Sequence, residues 1–82
     1  MITQQNLKWV MNNLSRDEVE KALESEGDYV IVELHVFNTG GVVSIESVDY
    51  NEEIENRVAA MGNLFCDKDD FLRLASEVDV EF

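Results

Sequence analysis

The clearest pattern of apolar and polar positions has a period of two. It spans Tyr29 to Tyr50, where the runs YVIVELHVF and VVSIESVDY flank Asn38-Thr39-Gly40-Gly41. Runs rich in Val, Ile, Tyr and Phe, split by a short Asn/Gly cluster, predict an antiparallel hairpin with strands at about 29–37 and 42–50. A loop made of all four cluster residues sets Phe37 opposite Val42, Val36 opposite Val43 and Leu34 opposite Ile45. One face then carries Val30, Val32, Leu34, Val36, Val43 and Ile45 and predicts the core. The other carries Tyr29, Ile31, Glu33, His35, Phe37, Ser44, Glu46, Val48 and Tyr50, a mixed set that predicts partial cover. This register places Glu33 opposite Glu46, which is unfavourable. A one-residue slip relieves that clash but turns Ser44 and Glu46 into the core, because a slip exchanges the faces of a strand. A lone hairpin is marginal in water, so helices or a third strand must cover it.

The remaining segments have helical spacing. Thr3 is an N-cap residue type, and Leu7, Val10, Met11 and Leu14 form an i, i+3, i+4, i+7 stripe, predicting a helix over about 3–14. Ser15-Arg16-Asp17-Glu18 is a capping box, Val19, Ala22 and Leu23 give the apolar stripe, and Gly27 is a stop, predicting a helix over 16–26. Asp49 or Asn51 caps a third helix over 51–62, with Ile54, Val58 and Met61 inward and Gly62-Asn63 as its end. Leu64 and Phe65 read as a buried connector. Asp67 caps a fourth helix over 68–77, striped by Phe71, Leu74, Ala75 and Val78. The tail Val78-Asp79-Val80-Glu81-Phe82 alternates with period two, which predicts a short third strand at 78–82. The fold class is therefore α+β, one domain over 1–82 in the order α-α-β-β-α-α.

Charge changes the picture more than composition does. The net charge is −12, from 18 acidic and 6 basic residues. Nucleic-acid binding needs Lys and Arg to displace counterions, and anionic membranes need the same, so both partners are disfavoured. A protein partner with a basic surface is favoured. The charge is also uneven. Met1 to Ser15 hold no acid, only Lys8 and several amides, and the acids begin at Asp17. Trp9 falls among those amides, away from the apolar stripe, and Trp is a frequent interface anchor. Asp17, Glu20 and Glu24 share the outward side of the second helix, and Glu52 and Glu55 that of the third. Acids three or four apart on a helix lie about 5–6 Å from one another, a spacing that can imitate a row of phosphates.

Candidate chemistry is sparse. His35, Glu33 and Glu46 share a hairpin face and are metal-ligand types, but no ligand spacing accompanies them. The runs beginning at Asp49 and Asp67 lack the Gly and Glu of a calcium loop, Gly40-Gly41 is not between a strand and a helix, and the second helix is too acidic to read DNA. Cys66 is the only cysteine, which allows no internal disulfide and fits a reducing compartment; beside Phe65 it reads as a small buried apolar residue. The start has no long apolar run of a secretory signal, so a cytoplasmic location is expected. These features predict a non-enzymatic protein without cofactor or metal that binds another protein through Asp17, Glu20, Glu24, Glu52, Glu55 and Trp9. Small phage or mobile-element inhibitors of restriction and CRISPR enzymes, which mimic nucleic acid, share this composition. The alternative is an assembly or adaptor module, a homodimer included, acting through Trp9, the neutral first helix and a hairpin edge.

Overall fold

The hairpin is the centre of a three-stranded antiparallel sheet ordered β2-β1-β3 in the computed structural model, which describes residues 1–82. The elements are α1 (Leu7–Asn12), α2 (Arg16–Glu24), β1 (Tyr29–Phe37), β2 (Gly40–Val48), α3 (Glu52–Ala60), β3 (Leu64–Asp67) and α4 (Lys68–Glu77). The α+β class and the four helices are as the sequence pattern predicts, but each of the first three helices is shorter than the expected range, and Met61, expected inward, lies past the end of α3 and is exposed.

The hairpin register is shifted by two residues from the expected one. Phe37 pairs with Gly40, Leu34 with Val43 and Val32 with Ile45, so the loop is Asn38-Thr39 alone and β2 ends at Val48 rather than Tyr50. Gly40 closes the turn at φ +146°, a conformation open to glycine. The shift removes the expected carboxylate clash, since Glu33 now faces Ser44 and Glu46 faces Ile31. A shift of two preserves the faces. Val30, Val32 and Val43 accordingly lie in the main core with Leu34 and Ile45 packed against it, but Val36 is 71% exposed at the tip.

The third strand is β3, not the tail. Leu64, Phe65, Cys66 and Asp67 pair antiparallel with Val32, Ile31, Val30 and Tyr29, so the expected connector is an edge strand. Residues 78–82 form no strand. Asp79 has φ +62°, which breaks an extended path, and the apolar residues of the tail pack instead of pairing. Val80 is buried, and the Phe82 ring stacks on Phe71 with centroids 5.6 Å apart.

Helices α1, α2 and α4 cover one face of the sheet. Leu7, Val10, Met11 and Leu14 from the first stripe join Val19, Ala22, Phe71 and Ala75 around Val30, Val32 and Val43. Capping follows the sequence signals. The Ser15 hydroxyl accepts from the Glu18 amide, Asn51 Oδ1 from Glu53 and Ile54, and Asp67 Oδ1 from Asp70. At the first helix, Thr3 and Asn6 bond each other reciprocally and α1 begins only at Leu7. The Lys68 ammonium donates to the Ser25 and Leu23 carbonyls, a cation at the C-terminus of α2. The second face is thinner. Tyr29, Tyr50 and Phe65 cluster there with centroids 5.1–6.1 Å apart. Ile31 and Val58 are buried outside the main core cluster.

Candidate interaction surface

The two longest stretches without an acid are 1–16 and 34–45. The fold brings them together. Strand β1 runs past the last paired residue of β3, Leu64, so the hairpin tip projects beyond the three-stranded part of the sheet. Asn63 terminates that pairing, accepting from the Leu34 amide through Oδ1 at 3.1 Å. Helix α1 lies over the tip, and Trp9 Cη2 comes so near the bare Cα of Gly41 that a Cβ there would stand 3.3 Å from it. Val36, 71% exposed, shares with Gly41 the face on which Trp9, 43% exposed, lies, while Phe37 at 58% and Val42 at 54% are exposed on the opposite face of the two-stranded tip. Scattered exposed apolar residues need no explanation, but these are gathered on both faces of one two-stranded tip and on the helix against it, and clustered apolar surface marks interaction sites. Lys8 on α1 and His35 on β1 are the only charged or titratable side chains that α1 and the tip supply. His35 Nε2 lies 3.4 Å from Ser44 Oγ and 3.9 Å from Glu33.

The acidic candidates divide between two sides of the molecule. Asp17, Glu20 and Glu24 are exposed on α2 and, with Lys21, line one shallow concavity; none of the three is ion-paired. Helix α2 packs on β2. Helix α3 packs on β3, at the opposite edge of the sheet, and carries Glu52 and Glu55 with it. Glu55 accepts from the Tyr50 hydroxyl at 3.2 Å. Its negative charge, reinforced by that hydrogen bond, raises the phenol's pKa. The structure therefore assembles the α2 row but does not join it to Glu52 and Glu55. The sequence pattern does not mark the tip residues Val36, Phe37 and Val42 as contact residues. Their signal is readable once the loop is two residues long, because the tip then extends beyond anything available to cover it.

Compared with known protein families, curated proteins and solved structures, the chain matches none. No group of three or more His, Cys, Asp or Glu side chains is placed to hold a metal ion. The register shift separates Glu46 from Glu33 and His35. No helix is long and apolar enough to cross a membrane.

Cys66, on β3, is half-buried against the main core. Burial, then the charges of Asp70 and Asp67, pushes its thiol pKa up to about 12 against a smaller opposing effect of Arg73. Only the thiolate is an effective nucleophile. Alkylation by iodoacetamide at mildly alkaline pH is expected to be much slower in the folded protein than in denaturant, which quenched mass spectrometry measures. The sign for stability follows from linkage. The unfolded thiol ionises near its ordinary pKa while the folded one keeps its proton, so stability falls as pH rises from about 8.5. Part of that fall should vanish in Cys66→Ala, as followed by denaturant titrations at several pH values.

Proposed function

We propose that this chain is a non-enzymatic protein-binding module whose contact is centred on Trp9 and the hairpin tip. The observation that carries this reading is the meeting of the two longest acid-free stretches, with Trp9 and Val36 exposed on the face where they meet and Phe37 and Val42 exposed on the other face of the same tip. Solubility accounts for the acids elsewhere but not for an exposed Trp packed on a hairpin tip that exposes Val and Phe. The acidic remainder biases the choice of partner toward basic surfaces and against nucleic acid and anionic membrane.

The α2 row supports a second reading, capture of a basic groove by acids spaced like phosphates. Asp17, Glu20 and Glu24 lie around one concavity without ion pairs. Glu52 and Glu55, on the other side, do not extend it.

Affinity capture from the native host separates the two readings when run with variants shown to fold by circular dichroism. Trp9→Ala is expected to weaken capture by about 2 kcal/mol or more, as at a hot spot. The triple reversal Asp17→Lys, Glu20→Lys, Glu24→Lys is expected to change it little, and binding should persist as salt rises. The reverse pattern, with binding lost in the triple reversal and falling steeply with salt, would assign the contact to α2.

A further inference from the structure

We propose that the outer edge of β2 pairs with the same edge of a second copy of this chain, antiparallel, about a two-fold axis at Ser44. The inference rests on reading the acid-free surface as a protein contact, but its evidence lies in the strand edge. The Leu34 amide bonds Asn63 on the β3 side, so even-numbered residues of β1 direct their backbone groups toward β3 and odd-numbered ones toward β2. The β2 partners of those odd-numbered residues are Gly40, Val42, Ser44, Glu46 and Val48. Gly41, Val43, Ile45 and Ser47 must then point their N–H and C=O groups away from β1. No strand lies beyond β2, and no turn or loop bonds the backbone of these four residues.

Exposed edges are normally blunted by Lys, Pro or a bulge. The chain has no proline, β2 has no lysine, and its pairing with β1 is continuous from Gly40 to Val48. The other edge offers less. There β3 is only four residues long, and beyond it β1 leaves three residues past Leu34, which Asn63 already occupies.

The edge is self-complementary in both hydrogen bonding and charge. Ser44 is the midpoint of Gly40–Val48. Full overlap about it sets Val43 against Ile45 of the second copy and Gly41 against Ser47, which joins outward-pointing residues to outward-pointing residues. Ser44 meets its own copy at a non-hydrogen-bonded position. Glu46 meets Val42, and the two Glu46 residues stand about 14 Å apart, four residues along the strands, beyond the screening length in physiological salt. The two ends of β2 differ in charge. The Gly41 end lies beneath Trp9 in the acid-free region, while the Ser47 end shares a concavity with Glu18, Lys21 and Ser25 of the α2 side. A two-fold axis at Ser44 lays the acid-free end of each copy against the acidic end of the other, and keeps the two α2 helices at opposite ends.

Sedimentation equilibrium and register-specific cross-linking test this. The wild-type mass is expected to rise from 9.4 kDa toward twice that value across the submillimolar range. In a Cys66→Ala background, Ser44→Cys should form an interchain disulfide at least about tenfold faster than Val42→Cys or Glu46→Cys alone, since facing non-hydrogen-bonded residues have Cα atoms within disulfide reach. Val42→Cys mixed with Glu46→Cys should cross-link to each other. A wild-type mass that stays at 9.4 kDa overturns the proposal, as does a dimer in which Ser44→Cys oxidises no faster than the other two. A monomer that still captures its partner through Trp9 overturns the edge contact and leaves the binding module standing. A cross-linked dimer whose capture ignores Trp9→Ala does the opposite.

Discussion

Replacing Phe71 by Ala is expected to remove about 3–5 kcal/mol of stability. The ring is fully buried in the main cluster, between the helices and the sheet, and stacks on Phe82. Truncation loses the transfer free energy of the ring and leaves a cavity lined by residues of several elements, which cannot all collapse into it. It also frees Phe82, which together with buried Val80 holds the tail down. An 82-residue domain has on the order of 4–12 kcal/mol of stability in total, so the variant stands at or near the edge of folding. Urea titration followed by far-ultraviolet circular dichroism measures the loss. A midpoint unchanged within error would mean that α4 does not pack as described. Leu72→Ala is the control, because Leu72 is on the same helix but exposed, and it should shift the midpoint by no more than about 0.5 kcal/mol equivalent.

The second large effect is expected at Gly27, between α2 and β1. Its φ of +103° lies where L side chains are strained, and a Cβ there would stand 2.7 Å from the Val48 carbonyl oxygen. The obstructing atom is backbone in a paired strand, so it cannot swing aside. Gly27→Ala is expected to destabilise by about 1–3 kcal/mol from conformational strain, with the steric overlap in addition. The damage should be local to the open end of the hairpin, where the Ser47 hydroxyl also donates to the Glu26 carbonyl at 2.7 Å. Amide hydrogen exchange is the suitable measurement. Faster exchange at Tyr29 and Val48, with Val32 still protected, is the expected pattern.

Much of this architecture was legible because a strand has a period of two. Val30, Val32, Leu34, Val43 and Ile45 share one face on a four-residue loop, and they keep that face on the two-residue loop that forms, because an even shift leaves parity intact. The Glu33–Glu46 conflict was the sign that the loop was too long. β3 was not legible. Four residues are too few for a period, and what makes them a strand is the free edge of β1, a tertiary fact. The tail misled for the converse reason. Val78 and Val80 alternate, but Asp79 turns left-handed and the apolar side chains reach the core from an irregular segment. Of the candidate contact residues, Trp9 was visible as an apolar side chain among amides, and its neighbours were not, because contact between α1 and the tip depends on how the helix crosses the sheet.

Asp67 ends β3 opposite Tyr29 and, in the same residue, caps α4 through its carboxylate. No linker separates strand from helix, and the next residue, Lys68, donates its amide to Asp28 and its ammonium to the end of α2. Edge strand, helix start and the α2–β1 junction are thus soldered at two adjacent residues. The third strand cannot peel away while α4 stays docked, so these elements open and close as one cooperative unit. The projecting hairpin tip lies outside that unit, held instead by its own strand pairing and by Trp9 of α1.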